Sequence, residues 1–231
     1  MSDESQQFDS YVDFYQAEYA SVIKRVTPLP FATMLAADQT AGDWSNLPTP
    51  DLIIGRILEG RRSYSIDIGA GRFNGRMQTN LTLVIAPNTH SSIQCAGRHS
   101  IQVVALPYAR LKHVVGDDLR LPEDGDFGAL HSGMLAPPLF GQLIGAMFDV
   151  ADPADPAAGL FFESTLLSMT AMLAMEAGKH KMKSPQGGGL APWQVRRATE
   201  MLAQSEGVKV SLSELAAGVG AEFELRVGED H

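Results

Sequence analysis

The chain has 231 residues, of which 45% are hydrophobic and 19% charged, the balance of a folded globular protein rather than a disordered tail. A formal net charge of −9 argues against indiscriminate binding to nucleic acid or to an anionic membrane. The single cysteine, Cys95, excludes an internal disulfide; with an acidic N-terminus and no bilayer-length apolar run, the expected compartment is cytoplasmic and no membrane partner is expected.

Residues 1–50 read as an N-terminal helical extension. Between Asp9 and Val26 an amphipathic helix packed on the sensor is expected, carrying Tyr11, Phe14, Tyr15, Tyr19, Val22 and Ile23. From Asp51 to Leu106 short β-rich runs are broken by Gly, Pro and Asn, at 52–58, 63–68, 81–86, 92–95 and 101–106. Their turn spacing suits a small antiparallel barrel or sandwich, with Thr82, Gln94 and Gln102 as polar residues alternating out of or into it. Residues 69–75 have the wrong spacing for a dinucleotide fingerprint and read as a glycine-rich hairpin or barrel corner.

Past Pro107 the texture turns helical. Tyr108–Val115 is a short candidate, and Leu139–Val150 a second, started by Pro137-Pro138 and stopped by the Asp152-Pro153-Ala154-Asp155-Pro156 turn. The longest runs from Leu160 to Glu176 and is apolar nearly all round, so more than one side must be covered. Leu160, Phe161, Leu166, Leu167, Met169 and Leu173 are therefore either a dimer seam or part of a domain core. Residues 51–178 form the expected sensor and dimerisation domain, and 179–189 a linker ending in three glycines.

Two further helices follow in residues 190–231. Pro192 suits a first helical turn, and Val195, Ala198 and Leu202 make one apolar stripe from which Arg196 and Arg197 point away. Gly207 is a stop. Ser211-Leu212-Ser213-Glu214 is a capping box, in which the serine oxygen accepts a first-turn N–H and the glutamate reaches back. From Gly189 onward there are four Lys/Arg against seven Asp/Glu, whereas a DNA-binding domain normally shows a basic footprint.

No catalytic residue emerges. His90, His99, His113 and His131 are scattered without a His-x-His pair, and ligation of a metal needs several ligands with defined geometry. His90, at a turn after a strand, is the best single ligand candidate, with a loop histidine satisfied by water or backbone as the simpler reading. Cys95 reads as a small core residue, since no cation stands beside it to lower its pKa. The acidic loop from Asp117 to Asp126 is bracketed by glycines and reads as a solvated connection. No cofactor or metal is expected.

The pattern Leu190-Ala191-Pro192-Trp193-Gln194-x-Arg196-Arg197, followed by Ser211-Leu212-x-Glu214-Leu215-Ala216, resembles the opening of the DNA-binding domain of AraC/XylS transcriptional regulators. Thr82–His90 resembles the strand-then-turn segment of that family's sensor. The resemblance implies an α+β fold: a cupin-like antiparallel β-barrel sensor, then helices, then a partial helix-turn-helix. It implies a ligand-responsive regulator, not an enzyme, with promoter DNA, a small-molecule effector and a second copy of the chain as partners. Trp193 would dock the first reader helix, while Gln194, Arg196, Arg197 and Ser211 would lie against DNA. The recognition helix expected after Gly220 is replaced by residues 221–231, so a sensor and dimerisation module unable to read DNA specifically is the second expectation. A metal-dependent cupin enzyme is the third.

Overall fold

A computed structural model describes residues 8–115, 119, 121–133, 138–150, 155–181, 211 and 214. Its packing divides the chain into two units, residues 1–183 and 184–231. In chain order the first unit contains α1 (Tyr11–Tyr19), β1 (Ile23–Pro28), β2 (Thr33–Gln39), β3 (Gly42–Asp43), β4 (Asp51–Glu59) and β5 (Ser63–Asp67). It continues with β6 (Arg72–Arg76), β7 (Thr82–Ile85), β8 (Ser92–Cys95), β9 (His99–Pro107), α2 (Tyr108–Val115), α3 (Pro138–Asp149) and α4 (Pro156–Lys181).

The strands form two antiparallel sheets, of order β1-β2-β9-β4-β7 and β3-β8-β5-β6. The expected α+β class is the one found: an antiparallel β module followed by helices. Among the described residues no ladder joins the two sheets, so the barrel is an open sandwich. Residues 69–71 form the turn of the β5–β6 hairpin, with Gly69 and Gly71 at positive φ, where a side chain would be strained.

The larger sheet is covered on both faces, which explains its strand sequences. In β4, Leu52 and Ile54 belong to one core cluster and Ile53 and Ile57 to another. In β9, Val104 and Leu106 divide from Val103 and Ala105 in the same way. A strand buried on both faces reads as a near-continuous apolar run rather than a clean alternation. One cluster packs this sheet against α2, α3 and α4; the other packs it against the smaller sheet and α1.

The N-terminal region departs from the helical extension expected for residues 1–50. Its helix is only Tyr11–Tyr19, capped by Ser10, whose Oγ accepts the Asp13 N–H at 3.1 Å. A 3₁₀ turn follows, and the chain then enters β1, which pairs with β2. The stretch from Val22 to Thr27 is rich in β-branched residues, and these favour a pleated, half-buried surface over a helix. β2, rich in Ala, Met and Leu, carries little strand propensity of its own; it is a strand because it pairs along its length with β9.

α4 gives one of its faces to the core. Phe162, Leu166, Met169 and Leu173 form a buried stripe on this chain's own core, and Phe161 packs partly against the same cluster. Leu166, Met169 and Leu173 thus belong to this chain's own core, the second of the two roles expected for the helix. Leu160 remains 67% exposed and Leu167 39%. By length and composition Pro156–Ala177 could cross a membrane, with a mean hydropathy of 1.4, but its apolar stripe is buried in the same core cluster as α3 and Leu130. The helix continues to Lys181, so residues 179–181 of the expected linker are helical.

In the second unit, Ser211 and Glu214 form the expected capping box. Glu214 N donates to Ser211 Oγ at 3.2 Å, and Ser211 N donates to Glu214 Oε2 at 2.8 Å. The Ser211 N–H and hydroxyl, both donating to Glu214 Oε2, hold that carboxyl below the ordinary glutamate range. Trp193, Gln194, Arg196 and Arg197 lie outside the described residues.

Candidate functional site: a cavity between the sheets

The face of β4 that points to the smaller sheet carries Ile53, Gly55 and Ile57, and the absence of a side chain at Gly55 leaves a hollow there. A Cβ at Gly55 would meet Leu83 at 3.4 Å and Val103 at 3.6 Å, ordinary contacts. Ile85 of β7, Ile101 of β9, Ile93 and Cys95 of β8, and Met77 complete the apolar wall. The remaining side is closed by Tyr11 and Tyr15 of α1 with Trp44. The cavity measures about 40 Å³, which at 10–15 Å³ per site is room for about three waters. An organic molecule enters only if side chains move apart.

Few polar groups reach this space. Gln39 Nε2 donates to the Tyr15 hydroxyl. The Trp44 indole N–H donates to Thr40 O at 3.0 Å. Asn46 donates through Nδ2 to Ser91 Oγ at 2.9 Å, while its Oδ1 is buried with no partner. His99 is buried, with Nδ1 2.9 Å from Gly97 O, and burial holds its imidazole below the ordinary histidine range. Burial likewise pushes the Tyr11 and Tyr15 phenols up and the Cys95 thiol up to about 12. A thiol held protonated is a poor nucleophile, as the core-residue reading of Cys95 expects. The chemistry on offer is binding: an apolar envelope with one orphaned acceptor, since leaving a buried polar group unmade is costly.

The four histidines do not converge. His90 and His113 are exposed and His99 is buried at the cavity wall. His131 is buried elsewhere, with Nδ1 2.8 Å from Val84 O and Nε2 accepting the Phe127 N–H at 2.8 Å. Among the described residues no group of three or more His, Cys, Asp or Glu is placed to hold a metal. Of the polar residues flagged in the strands, Thr82 is buried, Gln94 is exposed, and Gln102 is half-buried against Arg56. Sequence reasoning packed the helix of Tyr11 and Tyr15 on the sensor but missed the contribution of Gln39, Trp44 and Asn46 to the cavity. The signal for the helix was the aromatic spacing Tyr11, Phe14, Tyr15, whose apolar face needed a core to enter.

No family model matches the chain, and no curated protein matches it. Solved structures similar to it include the EutQ protein of Clostridium difficile, at 11% identity over 37% of this chain and 66% of that one, with a TM-score of 0.31. A cupin protein of Bacteroides fragilis is similar at 20% identity over 34% of this chain and 67% of that one, TM-score 0.28. A cupin-2 domain-containing protein of Shewanella frigidimarina is similar at 11% identity over 43% and 80%, TM-score 0.29. The chain spans less than two thirds of the length of the Clostridium difficile protein. At these TM-scores the likenesses carry no argument about activity.

Proposed function

We propose that this chain is the sensing part of a ligand-responsive transcriptional regulator of the AraC type, a binding protein and not an enzyme. The observation that carries the sensing role is the enclosed apolar cavity, with one unpartnered buried acceptor on Asn46. Its effector is a small, mainly apolar molecule with a hydrogen-bond donor. Because the empty cavity holds only about 40 Å³, an effector binds the opened state in preference to the closed one. That differential affinity is what a ligand needs in order to shift an equilibrium. The capping box at Ser211 and Glu214 supports a helix start where the resemblance to the DNA reader requires one. Leu160 and Leu167 supply the exposed apolar face on which a second copy docks.

A second reading is favoured by charge. Residues 190–231 carry four Lys/Arg and seven Asp/Glu, which suits a sensor that pairs with other chains without reading DNA. Salt-dependent binding of the purified chain to its own promoter separates the two. Specific binding supports the regulator; non-specific binding alone favours the second reading. The sensing role is tested apart from DNA by a thermal-shift screen of small apolar alcohols, phenols and amines on the chain and on Gly55→Val. A ligand that stabilises the parent and not the filled variant supports it. Equal stabilisation of both places the ligand elsewhere and overturns the assignment.

A further inference from the structure

At one end of the sandwich the β4–β5 and β8–β9 loops meet. β5 and β8 run antiparallel, with Tyr64 opposite Cys95, and Ala96 N donates to Ser63 O at 3.0 Å. The loops wall an open cleft of about 840 Å³, and Arg61, Arg62 and Arg98 all line it. We infer that this cleft is a binding site for a small phosphoryl-type dianion, held by these three arginines and distinct from the cavity between the sheets.

Local packing places the cations. A Cβ at Gly97 would overlap Arg62 Cγ, so the absence of a side chain there lets the arginine stem lie across the loop. The Arg62 carbonyl accepts the Met77 N–H at 2.9 Å, which anchors the same residue from the backbone. Gly60 is equally confined: a Cβ would sit 2.9 Å from Met77 Sδ and 3.2 Å from His99 Cβ. Both loops are thus held close by glycine, and their arginines share one opening.

Among the described residues the charge is only partly compensated. Among the described residues none of the three arginines forms an ion pair. Among the described residues Glu59 is the one carboxylate lining the cleft. Asp38, close enough to Arg98 to feel its charge, is already engaged by Lys24 at 3.4 Å and by Ser100 Oγ at 2.7 Å. Three cations against one anion stand in a cleft of a chain whose net charge is −9, and a cleft lined by one sign of charge concentrates the opposite ion. Each guanidinium presents a planar fork of N–H donors that matches the oxygens of phosphate. A tetrahedral dianion uses several such forks at once, whereas a single carboxylate fills one. The acidic remainder of the chain favours a small anion over a nucleic-acid strand.

The test is calorimetric titration of the full chain with pyrophosphate and with glycerol phosphate at low and moderate salt. Parallel arms use a DNA duplex and vesicles containing phosphatidic acid. Saturable one-to-one binding of the small anions is expected, about ten-fold weaker in Arg62→Gln and in Arg98→Gln. Arg72→Gln, an exposed arginine at the far end of the β5–β6 pairing, should bind as the parent does. Gly97→Ala, which keeps all three arginines but displaces Arg62, should also weaken binding while thermal unfolding stays cooperative. Absence of saturable binding overturns the inference. So does equal weakening by Arg72→Gln, or binding confined to DNA or to vesicles. The result is independent of the regulator proposal, because no promoter or cavity ligand enters the assay.

Discussion

Gly145→Ala sets two known effects against each other. Replacing glycine by alanine inside a helix ordinarily stabilises by about 1 kcal/mol. In α3, however, a Cβ at position 145 would stand 2.6 Å from Arg56 Nη1 and 2.9 Å from Nη2. That guanidinium is not free to swing. Its Nη1 donates to Gly141 O at 2.6 Å and to Asn80 Oδ1 at 3.2 Å, and its Nε donates to Gln102 Oε1 at 2.7 Å. Displacing Nη1 breaks two bonds worth about 1 kcal/mol each for a half-buried group. The net expectation is a loss of about 1 kcal/mol, or about 2–4 °C in melting temperature for a protein of this size. Thermal and urea unfolding of Gly145→Ala, Arg56→Met and the double variant measure it. In the Arg56→Met background the same alanine should be neutral or stabilising, and the non-additivity isolates the contact. A Gly145→Ala protein about 1 kcal/mol more stable than the parent would refute the locked guanidinium.

Leu173→Ala removes a fully buried side chain from the core cluster and should cost about 2–5 kcal/mol. Leu160→Ala, at a position 67% exposed, should stay within about 0.5 kcal/mol; equal costs in urea melts would mean that α4 is rotated from its described face. His99 gives a pH signature. Burial lowers its folded-state pKa, so the unfolded chain binds more protons, and stability is lost as pH falls through the unfolded value of about 6.5. His99→Gln should flatten that part of the acid limb in pH-dependent melts, and an unchanged slope would remove His99 as its source.

The fold was legible where local chemistry and tertiary demand agreed. The strand at Ser92–Cys95 and the helix at Tyr108–Val115 are found at their expected bounds, and Pro138–Asp149 within one residue of them. The N-terminal strands were illegible for a physical reason. Residues 33–39 become a strand through pairing with β9, whose Ala105 faces Thr33 and whose His99 faces Gln39, a partner distant in sequence that leaves no local periodicity. The glycine-rich run at 69–75 hid β6, because Phe73 is that short strand's one large apolar residue. The cavity was half legible: its β-sheet wall lay within the expected sensor and Tyr15 in a helix expected to pack on it, but Gln39, Trp44 and Asn46 came from a stretch to which no role was given. The arginine cleft was invisible, since Arg61 and Arg62 are brought beside Arg98 only by the antiparallel pairing of β5 with β8.

The architecture makes β4 the strand on which any message from the cavity must act. Its odd-numbered residues Ile53 and Ile57 face the cavity, and its even-numbered Leu52 and Ile54 face the helical layer. Polar ties join the same strand to both covers. Asp51 Oδ2 accepts the Tyr11 N–H at 2.7 Å, fixing the start of α1, while Arg56 bonds to the backbone of α3 at Gly141. The Asp51 tie carries a cost: Oδ1 is buried without a partner and burial raises the carboxyl pKa. Interiors packed to crystal density do not absorb an added ligand by compression. A molecule larger than the existing hollow must therefore part α1 and the smaller sheet from β4, or carry β4 with it. The first movement strains the Asp51 tie and the second draws Arg56 against α3. Either way the displacement passes through a specific hydrogen bond rather than through diffuse packing alone, so the two anchors of β4 join the cavity's walls to the helical layer.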